Sequence, residues 1–157
     1  VVNVRHLEAK SQVFKAQLTV EELDIDPLDP LISVKQPLDY EIEVQKVEDG
    51  LLAQGRLEMV LDCQCARCLK AHQQGVVIEP WGRHLPYHGE DQVPIINDQV
   101  DLTPYLREDI MLAFPQRPLC EPECKGLTQA LAEFAADEHL EAGPSSAAWA
   151  ELNKLKL

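Results

Sequence analysis

The chain is short of positive charge. It has 14 Lys and Arg against 27 Asp and Glu, a formal net charge of −13 over 157 residues. Non-specific binding to a phosphate backbone, DNA included, depends on counterion release by many basic side chains, so it is not expected of the molecule as a whole. The acid excess favours solubility and a basic protein partner, because opposite fields steer encounter. A net figure averages over faces, and one basic patch is compatible with it. Long apolar runs are missing too: no stretch reaches the length of a transmembrane helix, and the opening residues lack a signal-peptide pattern. A cytoplasmic location without membrane contact is the expectation. Glycines number seven and are scattered singly, which leaves no phosphate-cradling loop. There is no nucleophile elbow and no paired-His metalloprotease motif. Asp101, Glu108 and Asp109 form an acidic group that invites an acid/base reading, but helix capping accounts for them more simply. The sequence does not read as an enzyme.

What is present is a core and five cysteines. The chain is 45% hydrophobic, enough to fold as one domain with a loosely attached tail and without disulfide support. All five cysteines fall in two short clusters, Cys63-Gln-Cys-Ala-Arg-Cys68 and Cys120-Glu-Pro-Glu-Cys124. Cys65-x2-Cys68 and Cys120-x3-Cys124 are two short-spaced pairs, and such knuckles converge on one tetrahedral ion in structural zinc sites. Thiolate sulfur is soft and suits zinc, and a filled four-sulfur shell leaves no open position for catalysis. Unmetallated buried thiols remain an alternative, as does a redox pair. A redox Cys-x2-Cys belongs at a helix start near a parallel unit, whereas this one ends an antiparallel hairpin. Cys63 is left over, either a core residue or a substitute ligand.

The hydrophobic pattern is clearest over 37–65. Leu38, Tyr40, Ile42 and Val44 alternate with Asp39, Glu41, Glu43 and Gln45, which predicts a half-buried strand. Glu48-Asp-Gly50 predicts a hairpin turn. Leu51, Ala53, Gly55, Leu57, Met59 and Leu61 form the core face of the return strand, and period two carries that face on to Cys63 and Cys65. Residues 1–10 read as a strand or ordered arm. Residues 14–25 are ambiguous, with a capping box at Thr19-Val-Glu-Glu22, and Pro27 and Pro30 mark a turn. A third strand is expected over 74–80. Residues 81–99 read as a long irregular segment; its His84, His88, Glu90 and Asp91 are metal-capable but lack a ligand spacing. Thr103 reads as the N-cap of a helix over 103–114, with Pro104 at its first position. Glu108 and Asp109 lie near its N-terminal end, and Leu106, Ile110, Ala113 and Phe114 form its apolar stripe. Helices are expected over 127–141 and in the closing Ser-Ala-Ala-Trp-Ala-Glu-Leu stretch. The expected fold is α+β: an antiparallel sheet of four to six strands, open or barrel-like, with a packed helix and a helical C-terminal tail. The expected division is a 1–127 domain and a 128–157 helical extension.

Taken together, Val4-Arg-His-Leu-Glu8, Cys65-Ala-Arg-Cys-Leu69, the stretch Val100 to Cys120 and Cys124-Lys-Gly-Leu127 resemble the YceD family, a bacterial group named for large ribosomal RNA subunit accumulation. The resemblance covers about residues 1–127. It implies a cytoplasmic, non-enzymatic factor supporting accumulation or maturation of large-subunit ribosomal RNA. Cys65 and Cys68 match the family's Cys-x-Arg-Cys-Leu, with Arg67 as its arginine, and Cys120 and Cys124 match its second pair. Many relatives carry further cysteines beyond the Gly-Leu; this chain has Leu127-Thr-Gln-Ala-Leu instead. The set Cys65, Cys68, Cys120 and Cys124 is therefore the complete tetrad here.

Candidate binding residues follow from the knuckles. Arg67, Lys70, His72, Arg83 and His84 cluster around the first pair, and Arg107, Arg117 and Lys125 around the second. Converging pairs would give one basic rim for RNA phosphates, unless those side chains are solvated or paired with the chain's many acids. Three functional readings stand side by side: a factor contacting large-subunit ribosomal RNA or a pre-ribosomal particle, an acidic module escorting a basic ribosomal protein, and a thiol redox or metal-transfer protein.

Overall fold

The computed structural model describes residues 1–7, 11–25 and 29–127. Over these residues the fold is α+β, with antiparallel strands curled into a half-barrel and two helices. At its centre is the hairpin of β4 (Leu38–Val47) and β5 (Gly50–Gln64). Val47 pairs with Gly50, so Glu48 and Asp49 form the turn. Alternation puts Leu38, Ile42 and Val44 in the core from β4, and Leu51, Ala53, Leu57, Met59, Leu61 and Cys63 from β5. Gly55 shares that pleat for a different reason. A Cβ there would overlap the Glu41 carbonyl oxygen and meet Ile42 Cα at 2.7 Å, so the two backbones approach where no side chain fits.

β4 pairs with β5 from Gly50 to Glu58, and β3 (Ile32–Val34) continues that flank against Leu61–Cys63. β2 (Gln12–Leu18) lies outside β4, with Phe14 opposite Ile42 and Leu18 opposite Leu38. After it comes α1 (Val20–Leu23), closed by the expected capping box: Thr19 Oγ1 accepts from Glu22 N, and Thr19 N donates to the Glu22 carboxylate at 2.8 Å. A 3-10 turn over Val4–Leu7 follows β1 (Val2–Asn3).

β6 corrects the reading of residues 74–99. The strand runs from Ala71 to Pro86 and pairs with β5 along its whole length. It passes Pro80 because Glu79 and Pro80 stand opposite Arg56 alone, a bulge that absorbs the proline's missing N–H. Beyond the bulge Trp81 and Leu85 enter the core, so the segment read as irregular supplies two large buried side chains. Short strands β7 (Ile95–Ile96) and β8 (Gln99–Val100) then form a small sheet with β1, in the order β1-β8-β7.

α2 (Thr103–Leu112) packs on the half-barrel through Leu106 and Ile110, with Leu102 one turn earlier also buried. Its start differs from the expectation. Leu102 is the N-cap, and the Asp101 carboxylate accepts the Thr103 N–H at 3.0 Å, so Thr103 is itself the first helical residue. Glu108 and Asp109 lie past the first turn and bind β6 instead: Asp109 accepts from Trp81 Nε1 at 2.7 Å and from Arg83 Nη1 at 2.8 Å, and Glu108 from Arg83 Nη2 at 2.8 Å. Ala113 caps the helix and is exposed, so it drops out of the expected stripe, while Phe114 just beyond it still packs against the core. The helices expected after residue 127 lie outside the described residues.

Candidate metal centre

β5 ends at Gln64, and the chain turns immediately. Cys65 is fully buried, its N–H donates to the Lys70 carbonyl at 2.9 Å, and Leu69 N donates to the Cys65 carbonyl at 2.9 Å. Leu69 takes a left-handed conformation, φ 61°, which returns the chain to β6 and leaves Cys68 at the tip. The second segment arrives from the end of α2. Pro118 is fully buried and its carbonyl accepts from Ala66 N at 2.8 Å. Arg67 Nη1 donates to the Cys124 carbonyl at 2.8 Å. Gly126, at φ 75°, comes close enough that a Cβ would lie 3.6 Å from the Arg67 carbonyl oxygen.

These contacts bring four sulfurs together. Cys65 Sγ lies 3.7 Å from Cys124 Sγ, and Cys68 Sγ lies 3.7 Å from Cys120 Sγ. All four lie within 4.8 Å of one another. A tetrahedral thiolate site with metal–sulfur bonds of about 2.3 Å has sulfur–sulfur edges of about 3.8 Å. A disulfide needs about 2.05 Å, and all five cysteines are free thiols. The donor set and its spacing therefore fit a four-coordinate metal ion.

Without an ion, three of these thiols are pulled in different directions. The backbone N–H of Cys120 points at the Cys65 sulfur; with the N–H groups of Cys68 and Arg67 it outweighs burial and lowers that thiol to about 5. Burial and hydrogen bonds with the neighbouring sulfurs push Cys120 up to about 12. The Gly126 N–H favours the Cys124 thiolate, but burial and the Cys68 and Cys65 sulfurs hold that thiol above its ordinary value. A fourfold thiolate set needs a cation to exist. Cys63 stands apart. It lies on the core face opposite His72 and Ile32, outside the group of four, and burial and the nearby Asp62 carboxylate push its thiol up.

The candidate basic residues separate into two sets. Arg67, Lys70, Arg117 and Lys125 lie on the two segments that carry the cysteines, all four exposed. Arg67 spends one guanidinium nitrogen on Cys124. Arg83 lies further along β6, opposite Ala53, where it is held by Asp109 and Glu108 and sits 5.5 Å over the Tyr105 ring. Arg107 reaches Asp24 at 3.8 Å. His72 sits opposite Cys63 with Nδ1 3.4 Å from the Lys70 carbonyl oxygen, and His84 pairs with Asp49 at 3.2 Å. Among the described residues, His84, His88, Glu90 and Asp91 form no metal-capable group. Sequence reasoning missed Pro118, Gly126 and the clamp role of Arg67. A Cys-x-Arg-Cys arginine and a Gly two residues after the last Cys were the available signals.

The fold and site define a small α+β protein whose two distant cysteine segments close over one another. The profile of the family Large ribosomal RNA subunit accumulation protein YceD matches residues 53–156, and the chain belongs to that family. The family's description is of an accumulation factor and names no reaction. Proteins described as uncharacterized from Mycobacterium bovis and from two strains of Mycobacterium tuberculosis are 28% identical over 107 residues, covering 62% of this chain and 52% of theirs. The chain thus spans about half the length of the curated relatives it matches. No solved structure matches it. No helix among the described residues is long and apolar enough to cross a membrane.

Proposed function

We propose that this chain is a non-enzymatic factor for large-subunit ribosomal RNA accumulation that binds the RNA or a pre-ribosomal particle at its cysteine-closed end. The observation that carries the reading is the convergence of two cysteine segments, with 3.7 Å sulfur spacings, in a family named for that RNA. Zinc is the ion we assign to the tetrad: it takes four soft sulfurs tetrahedrally and supplies a structural crosslink. That crosslink fixes Arg67, Lys70, Arg117 and Lys125 on one pair of adjoining segments. Those four side chains would position a phosphate backbone against an otherwise acidic surface.

The net charge supports a second reading, an acidic escort for a basic ribosomal protein. Asp39, Glu41 and Glu43 are all exposed on β4, and the chain totals −13. Crosslinking in cells, with sequencing of the recovered RNA and mass spectrometry of the recovered proteins, separates the two. Enrichment of one region of large-subunit ribosomal RNA, lost when Lys70 and Arg117 are changed to Glu, is the expected result. Ribosomal proteins recovered without RNA would replace the first reading by the second.

A further inference from the structure

Among the described residues, the half-barrel's two long edge strands, β2 and β6, are built differently. The β2 edge carries Lys15 at its middle, bound to Glu41 at 2.9 Å. Charges, prolines and bulges on an edge strand are how sheets avoid pairing with foreign strands. The β6 edge has none of these from Ala71 to Ile78, which reads Ala-His-Gln-Gln-Gly-Val-Val-Ile. Its bulge and Pro80 come only afterwards. α2 binds β6 further on again, at Trp81 and Arg83.

Two hydrogen bonds establish which backbone groups face outward. Gln64 N donates to Leu31 O on the β3 side, and Cys65 N donates to Lys70 O on the β6 side. Antiparallel pairing alternates, so the register of Cys63 with His72 turns the backbones of His72, Gln74, Val76 and Ile78 toward β5. Those of Ala71, Gln73, Gly75 and Val77 face away. All four residues are exposed, Val77 at 48%. No backbone hydrogen bond from another described strand or loop reaches their outward groups.

A row of alternating N–H and C=O groups is complementary to another extended polypeptide. We propose that the Ala71–Val77 edge of β6 is a strand-addition site for an extended, basic polypeptide segment. The partner's charge rests on the escort reading; the strand pairing rests on the edge itself. No Lys or Arg between Ala71 and Ile78 opposes a cationic strand, and a second copy of this chain would bring a further −13. Glu58 and Asp62 stand opposite Val77 and Gln73, but Arg56 holds Glu58 and Lys35 holds Asp62. The attraction is that of the whole chain's field, and the hydrogen-bonded edge gives it a place.

Hydrogen exchange on the full chain tests this, alone and with a fluorescein-labelled decapeptide of alternating Val and Lys. The expected result is fast exchange at Gln73, Gly75 and Val77 in the free protein and protection of these amides in the complex. By fluorescence anisotropy, N-methylating alternate peptide residues should weaken binding at least tenfold. Val77→Lys, a surface change that adds an edge charge, should weaken it severalfold, and Val77→Glu should not. Protection of these amides in the free protein would overturn the proposal, because the chain would already cover its own edge. Equal binding of the N-methylated peptide would also overturn it, as would indifference to Val77→Lys or no binding at all. The escort reading fails separately, if crosslinking in cells recovers no basic protein.

Discussion

Cys65 and Cys124 are 59 residues apart in sequence, yet their sulfurs sit 3.7 Å from each other. That spacing is too long for a disulfide and close to the edge of a sulfur tetrahedron. Elemental analysis of the purified chain should therefore find one zinc per molecule. Cys65→Ser and Cys124→Ser should lose it and destabilise the protein by several kcal/mol or more, on the order expected for a structural zinc site. Cys63→Ala should keep the zinc and cost only about 1–2 kcal/mol, the scale of a small truncation in a packed core. Loss of zinc in Cys63→Ala, or full retention in Cys65→Ser, would show that the tetrad is wrongly assigned.

Asp109 holds two elements together. Its carboxylate, with the side chain 18% exposed, accepts from the Trp81 indole and from Arg83. Asp109→Ala removes both acceptors and leaves a largely buried indole N–H unpaired, a loss of about 1–3 kcal/mol. Asp109→Asn keeps an acceptor for one of the two donors and should fall between. Urea unfolding followed by Trp fluorescence measures both. Equal stability of Asp109→Ala and wild type would mean that α2 is held by Leu106 and Ile110 without help from this pair.

Much of the fold was legible because one face of each central strand is buried. Strict alternation from Leu38 to Val44 and the Thr19–Glu22 box translate directly into backbone geometry; the hairpin falls where the Asp-Gly signal puts it, although Glu48 and Asp49 form the turn and Gly50 already belongs to β5. The reading failed where a local signal was overridden by a partner distant in sequence. Pro80 reads as a strand end, but a bulge opposite Arg56 lets β6 continue, and Trp81 is buried because the sheet curls over it. Thr103 reads as a cap, but Asp101 reaches its N–H first. At the site, cysteine spacing identified four sulfurs that adjoin in the structure. It carried no information on charge pairing, so Arg83 and Arg107 were grouped with the knuckles although both answer to carboxylates elsewhere.

Asp62 gives the chain a small acid sensitivity. Its carboxyl lies below the ordinary 3.8 because the Gln73 amide donates to it and Lys35 sits 3.0 Å away. A carboxylate with a lowered folded pKa stabilises above its unfolded value and loses that contribution as pH falls through the folded one. Asp62→Asn should therefore be less stable than wild type at pH 7, and the gap should close below about pH 4. Parallel urea titrations at pH 7 and pH 2.5 measure the gap. A difference that stays constant with pH would assign the effect to packing rather than to the charge.

Gly55 offers the sharpest contrast within the sheet. A methyl group there would collide with the backbone of Glu41 and Ile42, which cannot move without separating β4 from β5. Gly75 on the neighbouring β6 has nothing within 4 Å of its Cβ position. The same substitution should therefore split. Gly55→Ala should lose on the order of 3 kcal/mol or more, as overpacking against a fixed backbone does. Gly75→Ala should be neutral or stabilise by about 0.5 kcal/mol, because it removes unfolded-state freedom at an ordinary strand conformation. Thermal melts of the two variants side by side decide it. If Gly55→Ala melts with wild type, β4 and β5 do not approach as closely as their register requires.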